Sequence, residues 1–295
     1  MKIKEGNFDL WFNIINHTLL ILIAFATLLP FLIIIRTSIS PPEEIMLNTG
    51  GIFSIPANAT LEYYKYILRA NSPITRALGV TIFRTVLGTS VNLCFTTLTA
   101  YALSKRYVPG MNSIMKIFFF TMLFSGGMIP TYLVVRSLHL TNTIWALILP
   151  GAMSVYNMII MRTFFRSIPE EIEESAKIDG CPDLLVLIKI VLPLSLPVLA
   201  SVGLFYAVWH WNSFFDAVIY ITERKLWPMQ LLLREILLSS SVSELDIQAT
   251  LAEAVPPPQA LIATTIIITS LPIICVYPFL QKHFVKGVMI GSIKG

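Results

Sequence analysis

Six long apolar blocks, separated by short polar ones, constrain this chain more than any other feature. They run roughly from Thr18 to Ile35, Ile74 to Leu103, Ile114 to Val135, Asn142 to Met161, Ile190 to Tyr220 and Ala260 to Leu280. A helix needs about 20 apolar residues to cross a bilayer, and the blocks are of that length. A large soluble core is not the explanation. Only 13% of the residues are charged and mean hydropathy is +0.74, whereas a soluble domain carries about a quarter of its residues as charged. The expectation is an all-α membrane protein with six transmembrane helices in one membrane domain, with segment 1–17 before it and a short tail, 284–295, after it.

The first block is too long for a signal-peptide core and lacks a small-residue cleavage site, so it reads as a retained span. Leu10, Trp11, Ile14 and Ile15 ahead of it suit an amphipathic turn on the membrane surface. Residues 36–74 and 221–258 read as polar loops. Gly126-Gly127 with Pro130 predicts a kink in the third block, and Pro150-Gly151 makes the fourth the weakest. Six spans put both ends on one side. The ends, the 104–116 turn and the segment after the fourth block hold more Lys and Arg than the opposite side, which by the positive-inside rule makes them cytoplasmic.

Between the fourth and fifth blocks lies an acidic elbow, Ser167 to Pro193, with six acids against two lysines. Ser167 and Glu170 match a capping box, Pro169 fits a first helical turn, and early acids suit the positive end of the helix dipole. Ile168, Ile172, Ser175, Ala176 and Asp179 share one face, with small Ser175 and Ala176 beside Glu174. Gly180 supplies a left-handed end and Pro182 turns the chain away. A bent helical elbow at the mouth of a span has the form of a lever; the alternative is a capped, solvated acidic loop.

Several functions are excluded. A net charge of +4 without clustering gives no nucleic-acid surface. Cys94, Cys181 and Cys275 read as reduced structural thiols, and His17, His139, His210 and His283 have no metal or catalytic spacing. There is no P-loop: Gly287 to Lys294 has glycines and a lysine at the wrong spacing. An ion-driven secondary transporter would show paired acids or an inverted repeat in its spans, and neither is present.

The order Glu174-Ser175-Ala176, three residues, Gly180, nine residues, Ile190-Val191-Leu192-Pro193 resembles the EAA loop of ABC importer membrane subunits. Ser175 departs from the usual alanine but stays small. AYALSKR (100–106), FSGGMIPTYLVV (124–135), IPEEIEESAKIDG (168–180), IVLPLSLPVLA (190–200), WNSFFDAVIYI (211–221) and YPFLQKHFVKGVMIGSIKG (277–295) are similar to the carbohydrate-uptake branch, on the side of the maltose-permease-like second subunit. The last two look most like a sub-branch that handles complex oligosaccharides or polysaccharide fragments. The likeness runs from about residue 30 to the end.

The resemblance implies a type I ABC importer fold in which the elbow is a coupling helix seated in a cleft of a separate ATPase. Glu174 would meet a basic residue of the ATPase, Ala176 would permit close approach and Gly180 would make the bend, with Glu170, Glu171, Ser175 and Asp179 around them. It implies a heterodimer with a second homologous membrane subunit, two ATPase subunits that bind the ATP and Mg, an extracytoplasmic solute-binding protein, and a sugar or oligosaccharide substrate. This chain would hold no cofactor, and the tail from Lys286 to Gly295 would reach the ATPase. A non-sugar solute remains the alternative cargo.

Polar and aromatic residues inside spans are costly there and face a cavity or another helix. Tyr206, Trp209, Trp211, Asn212 and Asp216 in the fifth block, with His210 and Phe214, offer rings for sugar faces and polar groups for hydroxyls. An interfacial aromatic belt is the other reading. Trp145, Tyr156 and Asn157 are candidates in the fourth. Arg84 lies inside the second, where a lone charge costs about 2.5–3.5 kcal/mol. Either Arg84 and Asp216 pair or line a vestibule, or Arg84 snorkels and Asp216 merely reaches water.

Overall fold

The computed structural model describes residues 7–47, 51, 54, 56, 58–70, 72–105, 107–243 and 256–292, and for 7–10, 239–243 and 277–292 the backbone alone. Among the described residues there is no strand. The helices are α1 (Asn7–Ile39), α2 (Pro42–Leu47), α3 (Glu62–Ile67), α4 (Pro73–Ser104), α5 (Met111–Leu123), α6 (Met128–Ser137), α7 (Val155–Phe165), α8 (Glu170–Ile178), α9 (Asp183–Val186), α10 (Leu192–Leu194), α11 (Leu196–Asn212), α12 (Phe215–Tyr220), α13 (Met229–Ser243) and α14 (Pro258–Ser292). Short 3₁₀ turns at Ile144–Leu147 and Leu149–Gly151 precede α7, and a π-helical turn, Leu187–Val191, joins α9 to α10.

Trp11–Ile39, Pro73–Ser104 and Pro258–Val276 are long and apolar enough to cross a membrane unaided. Three bent pairs complete six crossings if each pair is one: α5 with α6 at 111°, the 3₁₀ turns with α7 at 56°, and Asp183–Leu194 with α11 at 86°. All six apolar blocks therefore fall on these elements. The bends follow from the sequence. Pro193 and Pro197 remove the N–H groups that would bond the carbonyls four residues earlier, and the chain turns at Ser195 between them. Between α5 and α6 four residues leave the helix and Gly127 takes φ +87°, so Gly126-Gly127 makes a full break where a kink was expected.

Three further expectations change. Trp11, Ile14 and Ile15 continue α1 as one unbroken helix, because nothing before Pro30 interrupts its hydrogen bonding. The 221–258 stretch is not all loop, since Met229–Ser243 is helical. The last helix runs on to Ser292; Lys2 and Lys4, the final three residues and the side chains of the tail lie outside the described residues.

The chain divides into two compact units. One comprises residues 1–72 and 235–270. Within it α1 has no buried residue from Trp11 to Thr37 and is apolar around its circumference, as a helix that crosses a membrane is. Its last turn is anchored: Arg36 is ion-paired with Glu44 and donates to the Ser54 carbonyl at 3.0 Å, and the Tyr63 hydroxyl donates to Ser40 O at 3.0 Å. The other unit comprises residues 73–234 and 271–295. Here α4 packs along α11 and α7, around a core that includes Ala100, Met158, Met161, Val186, Val191 and Val202. A second core joins Val135, Ala146, Leu147, Ala217, Tyr220 and Ile221.

Candidate functional site

The elbow is built as a short helix docked on the end of α4. Its start differs from the expected capping box. The Ser167 N–H and hydroxyl both bond back to Phe164 O, at 2.9 and 2.7 Å, so Ser167 closes the turn after α7. Pro169 is then the extended residue before Glu170, and no side chain caps α8. Its end is as the sequence predicts. Gly180 takes φ +80°, Cys181 N–H donates to Ala176 O at 3.0 Å and Gly180 N–H to Lys177 O at 3.0 Å, the two bonds of a Schellman motif.

Lys105 ties this helix to α4, and two arginines at the end of α7 brace the same end of α4. Arg162 Nε donates to Leu103 O at 2.8 Å and Arg166 Nε to Ser104 O at 3.3 Å, satisfying the terminal carbonyls of α4 and complementing its dipole. Lys105 is ion-paired with Glu173, which also accepts from the Tyr101 hydroxyl at 3.3 Å. Hydrogen bonds to Asp183 and to the Tyr107 hydroxyl hold Lys177 above the ordinary lysine range. Glu173 and Ala176 turn inward, and Ala176 packs on the core. Glu171, Glu174, Ser175 and Ile178 share the outward face at helical spacing and all are exposed, Ile178 at 86%. Glu170 is exposed in the first turn, and Asp179 is the exposed C-cap. Ser104, Lys105, Arg166, Glu170, Glu173 and Glu174 line a crevice beside the helix.

The middle of α4 carries a buried polar seam at four-residue spacing: Arg84, Gly88, Asn92 and Thr96. Arg84 and Asp216 do pair. The guanidinium, fully buried, makes a two-pronged ion pair with the Asp216 carboxylate and donates to Ser213 O at 3.2 Å and Leu147 O at 3.3 Å. Asn92 Nδ2 donates to Gly151 O at 3.0 Å. The Tyr206 hydroxyl accepts the Ser154 N–H at 2.9 Å and lies 2.6 Å from the Thr96 hydroxyl. The seam exists because the fourth span is unwound: Pro150 has no N–H to give Leu147 O, and Ser154 N–H is turned to Tyr206. Backbone groups freed at membrane depth need such partners.

The candidate path residues thus divide. Arg84, Asp216 and Tyr206 are tied into the seam, and Asn157 and Trp211 are buried. Trp209 is half exposed, with its ring over Gly151, edge-to-face on His210 at 4.7 Å, and 6.0 Å from the Arg84 guanidinium. Trp145 and Tyr156 are exposed, as is Asn212, whose amide donates to Val208 O of its own helix at 2.9 Å. Sequence reasoning missed Asn92, Thr96, Lys105, Arg162, Arg166 and Glu173. The polar residues at 84, 92 and 96 in an apolar helix were the legible signal.

An all-helical membrane chain with broken spans and a docked acidic elbow defines a transport permease. The chain belongs to the family of binding-protein-dependent transport system inner membrane components, whose model matches residues 7–290. It is 48% identical to protein LplC of Bacillus subtilis over 96% of this chain and 95% of that one. It is 44% identical to the polygalacturonan/rhamnogalacturonan transport system permease protein YtcP of the same organism, over 96% and 98%. In structure it is similar to a chain of a bacterial ABC transporter involved in the import of the acidic polysaccharide alginate. The TM-score is 0.87 and the identity 32%, over 96% of this chain and all of that one. The fold is that of a type I ABC importer permease.

Proposed function

We propose that this chain is the membrane subunit of an ATP-driven importer for oligosaccharides. The observation that carries the reading is the 44% identity, over nearly the full length, to a polygalacturonan/rhamnogalacturonan permease, supported by the likeness to an alginate importer chain. The exposed rings of Trp145, Tyr156 and Trp209 supply faces on which sugars stack.

The elbow supplies the drive. A rigid helix, pinned to α4 on one side and exposing Glu171, Glu174, Ser175 and Ile178 on the other, suits a cleft in an ATPase subunit that binds the ATP and Mg. Closure of two such subunits would swing the elbow and open the path alternately to the two sides, a rigid-body change. A second homologous membrane subunit and a solute-binding protein complete the importer. The excess of Lys and Arg on one side supports a reading in which both termini and the elbow are cytoplasmic.

The test is uptake by the chain reconstituted with its partners, offered a panel of labelled oligosaccharides. Import that needs ATP, the ATPase and the solute-binding protein is the expected result. Uptake driven by an ion gradient without the ATPase, or import of non-sugar solutes alone, contradicts it.

A further inference from the structure

Two breaks in the backbone, one in the fourth span and one between α11 and α12, converge on a single side chain. Arg84 donates to Leu147 O in the first and to Ser213 O in the second. Its charge is balanced by Asp216, which is itself fixed: Oδ1 accepts from the Ala217 N–H at 2.9 Å and from the Ser213 hydroxyl at 3.5 Å. A planar five-donor fork can serve a carboxylate and two carbonyls together, whereas a lysine is a point charge.

The same helix is clamped to the elbow at its other end. Lys105, just beyond it, is ion-paired with Glu173 of the elbow, which also accepts from the Tyr101 hydroxyl of α4, while Arg162 and Arg166 at the end of α7 hold the last carbonyls of α4. The stretch from Arg84 to Ser104 contains no proline and spans about 30 Å as one helix. Between the clamps, Asn92 and Thr96 with Tyr206 tie α4 to the unwound 151–154 backbone.

We propose that Arg84 is a positioning residue that fixes both breaks to the second span, so that α4 carries movement of the elbow to the unwound backbone where the path opens. This rests on the reading of the chain as an ABC importer permease. Its signature is coupling: the number of ATP molecules hydrolysed for each substrate molecule imported.

The experiment uses the complete importer in proteoliposomes, with uptake and ATP hydrolysis both measured per assembled complex. Two variants are compared with the parent. Arg84→Lys keeps the charge opposite Asp216 but loses the fork. The double variant Arg84→Met/Asp216→Leu removes both charges together, a replacement that buried pairs often tolerate. In both, uptake is expected to fall more than hydrolysis, raising ATP consumed per substrate by about tenfold, within the range for residues that couple distant sites. A purely structural role would lower the amount of complex and leave that ratio unchanged, and an unchanged ratio in Arg84→Lys overturns the proposal. If the parent itself shows no ATP-driven uptake, the importer reading falls first and this proposal with it.

Discussion

Lys105, one residue beyond the end of α4, is ion-paired with Glu173 on the inward face of the elbow helix. Both side chains are mostly buried, at 12% and 15% exposure, so the pair is less screened than one on an open surface. It leaves the neighbouring Glu174 pointing outward, and so separates the acid that holds the elbow from the acid available to a partner. Glu173→Lys should loosen the elbow, costing about 1 kcal/mol or more because two cations then face each other. The reversed pair Lys105→Glu/Glu173→Lys should recover most of the lost thermal stability and uptake. Loss of uptake without recovery in the double variant would count against the pairing.

Gly180 offers a cleaner measurement of backbone strain. Its φ of +80° is left-handed, and a Cβ there would meet nothing within 4 Å, so only the backbone penalty is felt. Gly180→Ala should cost about 1–2 kcal/mol and Gly180→Asn less, since asparagine tolerates that conformation. Thermal unfolding of the purified chain in detergent reads the order of the three. Equal midpoints would mean that the Schellman turn is not the native end of the helix.

The seam should be most sensitive where a hydroxyl serves two partners. Tyr206→Phe deletes the group that accepts the Ser154 N–H and contacts Thr96, leaving buried polar groups without a partner at a cost of about 1–3 kcal/mol. The midpoint should drop while membrane insertion stays normal. An unchanged midpoint would show that the 151–154 backbone does not depend on this tie.

Two glycines set the approach of the helices. A Cβ on Gly88 would lie 2.3 Å from His210 Nε2, and one on Gly151 would lie 2.7 Å from Trp209 Cη2. Gly88→Ala and Gly151→Ala should each destabilise by about 1–3 kcal/mol through overpacking. Gly79→Ala, with nothing within 4 Å, is the matched control and should be near neutral. Unfolding midpoints of the three variants check this, and an ordinary midpoint for Gly88→Ala would contradict the packing of α4 on α11.

The sequence revealed the parts that depend on composition and local backbone chemistry. Apolar length located the three helices long enough to cross and the three bent pairs, and Gly180 announced the end of the elbow. It misled where two local rules competed. Ser167 satisfied the capping-box pattern, but the turn after α7 claimed its N–H and hydroxyl first. Gly126-Gly127 signalled a bend without its size, because a kink and a break share the same glycines. The Arg84–Asp216 pair stayed open because 132 positions separate the two residues, and tertiary packing brings them together. Ala176 looked like a contact surface for a partner but packs inward, since helical spacing shows which residues share a face and not which way the face points.

The most direct test of the importer account is made at Glu174, which is exposed and lines the crevice beside the elbow. The variant Glu174→Lys should insert and unfold like the parent, because no ion pair within the described residues involves this side chain. Co-purification with the ATPase subunit and uptake of labelled oligosaccharide are then measured on the same preparation. The account predicts that the ATPase is lost and uptake falls to background. Retention of the ATPase with uptake at the parent rate would contradict it.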